Sequence, residues 1–227
     1  MTEMLRAAIS SSALIAAIAL TAGAADAQAS RLAVGVQGGT LGAGAGVQFS
    51  LNDYLVLRGS YDALSIERDD TYDDIAYNGD ADFSSPGAFV DLHPFRNALL
   101  ISGGAYFGDR SVSIDSTPTG PTEVGGVTFT PEQIGTLKGS IDLEGTAPFV
   151  GVGFDNTFTS GGHWGWRVLV GAAFSDEPQV DLASEGGTVS ATPQFQAALA
   201  VEEAEIQAEA DDYNVLPVVQ VGLNYRF

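Results

Sequence analysis

The fold is decided by the closing stretch, Val215-Leu216-Pro217-Val218-Val219-Gln220-Val221-Gly222-Leu223-Asn224-Tyr225-Arg226-Phe227. Every second residue from Val215 to Phe227 is apolar, and the intervening set turns polar toward its end. Successive side chains of a strand leave opposite faces of the pleat, so a period of two predicts a β-strand. The apolar face ends in Tyr225 and Phe227. Membrane barrels are apolar outside, with aromatic girdles at both interfaces, and polar inside. The stretch fits that pattern, and its terminal aromatic is similar to the C-terminal signal of bacterial outer-membrane proteins.

Seven earlier segments repeat the alternation. They run over residues 31–37, 41–50, 54–61, 87–93, 98–107, 147–154 and 164–175. In the second, Leu41, Ala43, Ala45, Val47 and Phe49 are expected to face outward, opposite Gly42, Gly44, Gly46 and Gln48. The links alternate in length, apart from a short first outer loop, Gly38-Gly39-Thr40. Residues 51–53, 94–97 and 155–163 are short to moderate, whereas 62–86, 108–147 and 176–214 are long. Bacterial outer-membrane barrels have even strand numbers, short periplasmic turns and long outer loops. The sequence therefore predicts an all-β chain, an eight-stranded antiparallel transmembrane barrel with long acidic outer loops. A soluble β-sandwich is the competing fold, and it accounts for neither the phased loops nor the aromatic strand ends. Residues 193–212 break the pattern. They are rich in Ala, Glu and Gln and predict a solvated acidic helix in the last outer loop, with Phe195, Leu199 and Ile206 as a partial stripe.

Composition agrees. The 227 residues contain no cysteine, 28 glycines and a formal net charge of −20. This acidity excludes nucleic acid as a partner. Arg6, the apolar run 13–22 and Ala25-Asp26-Ala27 read as a secretory signal peptide over residues 1–27, with translation starting at Met1 or Met4. The expected domains are this leader and a barrel over 28–227, located in the bacterial outer membrane as a monomer. Expected partners are outer-membrane lipid, lipopolysaccharide, and the barrel-assembly machinery acting on the last strand.

An eight-stranded barrel is just wide enough for side chains to fill. The many inward glycines either leave a narrow path or relieve crowding in a curved wall. Arg58, Asp91, Arg167 and Arg226 are the inward charges, with Asp91 expected to pair with Arg58 or Arg167. They form either an interior ion-pair network or a charged constriction. Acidic residues crowd the outer loops, including Asp69, Asp70, Asp73, Asp74, Glu202 and Glu203. Such a mouth would concentrate cations or simply solvate the loops. Asp69–Asp74 lacks the spacing of a calcium loop, so no metal site is assigned. Trp164, Trp166, Tyr225 and Phe227 are the expected membrane-interface aromatics. His93 and His163 lie at turns without a partnering nucleophile, so no enzyme activity and no cofactor are expected.

Three blocks carry a family resemblance. They are Val90–Phe95 with Ala98–Phe107, Leu137–Phe154, and Trp164–Leu182, with Glu203–Ile206 ahead of the closing strand. Their order resembles the CarO-type small outer-membrane proteins and, more loosely, the OmpW-like barrels. The terminal Phe227 departs from the Trp ending associated with CarO. The resemblance implies an eight-stranded barrel and uptake of small, especially basic, amino acids. Two functional expectations follow. One is narrow passage of small cationic solutes. The other is a non-conducting structural or surface-interaction protein whose acidic loops bind ions, lipopolysaccharide or a partner.

Overall fold

In the computed structural model, the described residues are 31–72, 75–143, 145–211 and 214–227, with only the backbone described over 67–72 and 75–77. The expected signal peptide, Asp73 and Asp74 lie outside them. Eight strands close a barrel: β1 (Leu32–Gly39), β2 (Gly42–Ser50), β3 (Leu55–Tyr72), β4 (Ile75–Leu92), β5 (Leu99–Tyr106), β10 (Ala147–Asp155), β11 (Trp164–Phe174) and β13 (Val215–Arg226). Each pairs antiparallel with its neighbours, and β13 returns to β1 with Val34 opposite Tyr225. Closure leaves no edge in this ring, which a strand assembly in lipid requires. The outward face is apolar, with Val36 and Val152 about six-tenths exposed.

Leu41 departs from the sequence expectation. It lies in the β1–β2 turn and points inward, 5% exposed, into the interior cluster. The turn reverses its face, and Gly42 follows at φ +95°, where an added Cβ would lie 2.1 Å from the Ala63 carbonyl oxygen.

The long connections are not loops. β3 and β4 stay paired as far as Tyr72 opposite Ile75, well beyond the ring. At residues 84–86, β4 parts from β5 and takes a new neighbour, β6 (Arg110–Thr117). Gly108 makes this change possible at φ +99°, since a Cβ there would sit 2.4 Å from the Ser84 carbonyl oxygen. β9 (Gly135–Leu143) and β12 (Gln179–Gly186) extend the sheet, giving the order β3-β4-β6-β9-β12 in a cap above the barrel. A small hairpin, β7 (Thr122–Val124) with β8 (Val127–Phe129), a single turn α1 (Pro131–Ile134), and α2 (Pro193–Ala210) complete the cap.

The helix is packed, not solvated. Phe195, Ala198 and Leu199 join Val124, Phe129 and Ile134 in a second core, with the Phe129 and Phe195 rings 4.9 Å apart. Thr192 caps the helix by accepting from the Phe195 N–H, and Pro193 occupies the first turn. The residues that gave a partial stripe in sequence include those that bury it.

The barrel interior has two layers. Toward the cap, Phe89, Tyr106 and Phe149 meet edge-to-face with centroids 4.8 to 5.6 Å apart. Leu41, Leu169, Ala173 and Val218 join them from the opposite wall. On β11 and β13 the inward polar residues Arg167, Gln220 and Asn224 lie nearer the terminus end than Leu169 and Val218. Inward glycines make room for these rings. A Cβ on Gly87 would lie 2.5 Å from the Phe89 ring, and one on Gly151 would lie 2.6 Å from Phe149. Replacing Gly87 with Val should cost about 1–3 kcal/mol through overpacking. In a Phe89→Leu background the penalty should shrink, as read from urea unfolding midpoints.

Candidate functional site

Two places gather chemistry: the polar layer of the barrel and the cap. In the barrel, Arg58 Nε donates to Asp91 Oδ2 at 2.8 Å, and its Nη2 reaches Asp91 Oδ1 at 3.3 Å and Ser102 at 3.0 Å. The guanidinium also lies 3.9 Å from the centroid of the Phe89 ring. Register explains the triad: Val56 pairs with Asp91 and Arg58 with Phe89, so Arg58 and Asp91 are diagonal neighbours on the inner face. Both are at most 3% exposed.

Arg167 does not share Asp91 as a direct partner. Its Nη2 donates to the Gln37 side-chain oxygen. Gln37 Nε2 then donates to both oxygens of Asp62, at 2.6 and 2.9 Å. Gln220 and Ser60 also donate to Asp62, each at 3.3 Å. Gln37 is thus an amide bridge between separated opposite charges. A third anion, Asp155, accepts from Gln48 at 2.9 Å and from the Thr157 N–H at 2.8 Å.

Asp62, Asp155 and the glutamines were absent from the sequence-based set. Asp62 follows Tyr61, where the sequence alternation ends, although β3 itself continues to Tyr72. Asp155 was placed in a turn. Amides carried no charge to draw attention to them.

Arg226 is not a member of this network. Its Nη2 donates to the carbonyls of Ser160 and Gly162, at 3.1 and 2.9 Å, and so fastens the turn before β11. The polarity that marked it as inward is spent on backbone at the rim. His163 Nδ1 donates to the Arg226 carbonyl and His93 Nδ1 to the Asn97 carbonyl, each at 2.9 Å, so both histidines also fasten turns.

The aromatics expected at the membrane interface sit together at the terminus end. Trp164 is 62% exposed and lies edge-on to Tyr225 at 5.1 Å, and Tyr225 is edge-on to Phe227 at 5.5 Å. Trp166 packs against Phe154 at 5.0 Å. Tyr54 and Phe95, on neighbouring turns, are exposed as well.

In the cap, Glu202 and Glu203 are fasteners. Glu202 Oε2 accepts from the Gly125 N–H at 2.9 Å. Glu203 Oε2 accepts from the Leu182 N–H at 3.1 Å, and Gln207 Oε1 accepts from the Val180 N–H at 2.9 Å. Alternate N–H groups of an edge strand stand about 7 Å apart, and side chains four apart on a helix about 6 Å. The match lets α2 satisfy the outer edge of β12, an edge that would otherwise invite foreign strands. Of the acidic loop residues, Asp69 and Asp70 fall in the backbone-only part of β3.

The two sheet faces of the cap differ. By strand alternation, Asp80, Asp82, Asp115, Asp142, Asp181 and Glu185 share the outward face with Lys138. Lys138 Nζ bonds Glu185 at 2.8 Å, and this carboxylate holds the amine above its usual pKa. The other face, on the side of the barrel axis, lies toward α2. It carries Arg110, 2% exposed, and burial pulls that guanidinium below its ordinary pKa.

Two outcomes test these roles. Asp91→Asn should cost about 3–5 kcal/mol, because it strands a buried guanidinium. Arg226→Ala should cost about 1 kcal/mol, both read from urea unfolding followed by tryptophan fluorescence. The double substitution Glu203→Ala/Gln207→Ala should strip hydrogen-exchange protection from the Val180 and Leu182 amides while leaving β11 and β13 protected.

No protein-family model and no curated sequence matches the chain. Solved structures do. The crystal structure of Acinetobacter baumannii CarO aligns with a TM-score of 0.58 and 24% identity over 86% of this chain and 97% of that one. That of A. baumannii CarO2 aligns with a TM-score of 0.58 and 25% identity over 86% and 98%. The closed eight-stranded barrel described above therefore has the fold of the CarO structures.

Proposed function

We propose that the mature chain is a monomeric outer-membrane barrel that does not conduct and that acts through the folded acidic cap it displays at the cell surface. The supporting observation is the Phe89–Tyr106–Phe149 layer, closed from the far wall by Leu169, Val218 and Leu41. A solute following the axis would have to displace these rings and then the Arg58–Asp91 pair. The outward apolar belt and the aromatics at the terminus end suit an outer membrane, with the leader removed during export. The cap then faces the medium. Its acidic outer face suits divalent cations bridging to lipopolysaccharide phosphates, or a basic partner.

Planar-bilayer recording of refolded residues 28–227, with folding established by heat-modifiable gel mobility, tests the reading. Wild type should give no steady openings, and Phe89→Ala/Phe149→Ala should give a measurable leak. Steady, cation-selective openings in the wild type would reinstate passage of small cationic solutes.

A further inference from the structure

The cap holds a half-open pocket of about 320 Å³ between its sheet and α2. Its apolar lining comes from Val112 and Ile114 of β6, Leu137 and Ile141 of β9, and Leu199 and Ile206 of α2, while Glu123, Lys138 and Glu202 supply charged lining, with Glu202 bonded to the Gly125 N–H. This size is at the lower end of ligand pockets, which span about 300–1,000 Å³.

Arg110 lies two residues before Val112, on the same sheet face and about 7 Å nearer the barrel. Its register partners are Phe83 and Leu143. A guanidinium carries five N–H donors. Those of Arg110 are buried, and among the described residues none of its three nitrogens has a hydrogen-bond partner. Asp109, just before β6, attracts the guanidinium through space but makes no hydrogen bond to it. Two more orphans share the Arg110 face. The Ser85 hydroxyl, two residues from Phe83, and the Tyr106 hydroxyl are fully buried and unpartnered among the described residues. A buried charge without acceptors is costly, so an unpartnered guanidinium one same-face step from the lining residue Val112 suits an anionic group.

We infer that the cap binds an amphiphile with a single acidic head, the head meeting Arg110 and the apolar body filling the cavity between β6, β9 and α2. The shared chemistry is a carboxylate or phosphate on a short hydrocarbon body, as a free fatty acid or a phosphate-headed lipid would present. The site does not depend on whether the barrel conducts.

The test is titration of [1-¹³C]decanoate into the mature protein in phosphatidylcholine nanodiscs, following the bound carboxylate signal. Saturable binding is expected. Arg110→Gln should weaken it at least about tenfold, a charge-assisted pair being worth that much or more. Ile206→Trp, which fills the cavity, should weaken it comparably. Decan-1-ol, with the same body and no charge, should displace decanoate at least about tenfold less well than unlabelled decanoate does. Decyl phosphate displacing it more strongly than unlabelled decanoate would identify a phosphate-headed lipid as the source; weaker displacement would identify a free fatty acid. Absence of saturable binding overturns the inference, as does unchanged affinity in folded Arg110→Gln. Should that variant fail to fold, the decanol comparison in wild type and Ile206→Trp decide: equal binding in either overturns the site.

Discussion

Closure of β13 on β1 is the constraint on which the rest depends. A barrel in an apolar surrounding must satisfy every backbone group internally, so the ring must close with its eight strands in register. Eight strands enclose little space. Any large inward side chain must then be matched by missing volume on its neighbours. Phe89 and Phe149 are accommodated by Gly87, Gly104, Gly151 and Gly171, each of which would bring a Cβ within 3 Å of a ring. The glycines therefore serve the aromatic layer: they relieve crowding, one of the two readings open from sequence alone.

The same narrowness governs the charges. Arg58, Arg167, Asp62, Asp91 and Asp155 are buried, and each is tied to its neighbours by hydrogen bonds. Direct pairing joins Arg58 to Asp91, whereas Gln37 carries the interaction between Arg167 and Asp62. An amide can do this because it donates from one end and accepts at the other. The outcome resembles a filled core more than a filter.

Above the ring, the sheet gains two edges that the membrane part lacks. One is bounded by β12, and α2 answers it with Glu203 and Gln207, four residues apart. Acidic residues that read as solvated charge are thus part of the fold. The helix that supplies them also roofs the cap core, leaving the cavity below it and Arg110 beside it.

Period-two patterning determined the eight barrel strands, since one face had to meet lipid and the other a small interior. The aromatic ends of β11 and β13 were equally legible. The cap strands carried the same signal, in Val112 and Ile114 against Ser111 and Ser113, and in Leu137 and Ile141 against Lys138 and Asp142. Those segments sit within long acidic connections, which by composition read as loops. Tertiary structure alone decided the pairings. Arg167 meets Gln37 across 130 residues and Gln48 meets Asp155 across 107. Register and closure bring such groups together, and no local pattern encodes which inward residue will face which. The fate of Arg110, buried without an acceptor, was settled in the same way by where β4 leaves β5 and takes β6 instead.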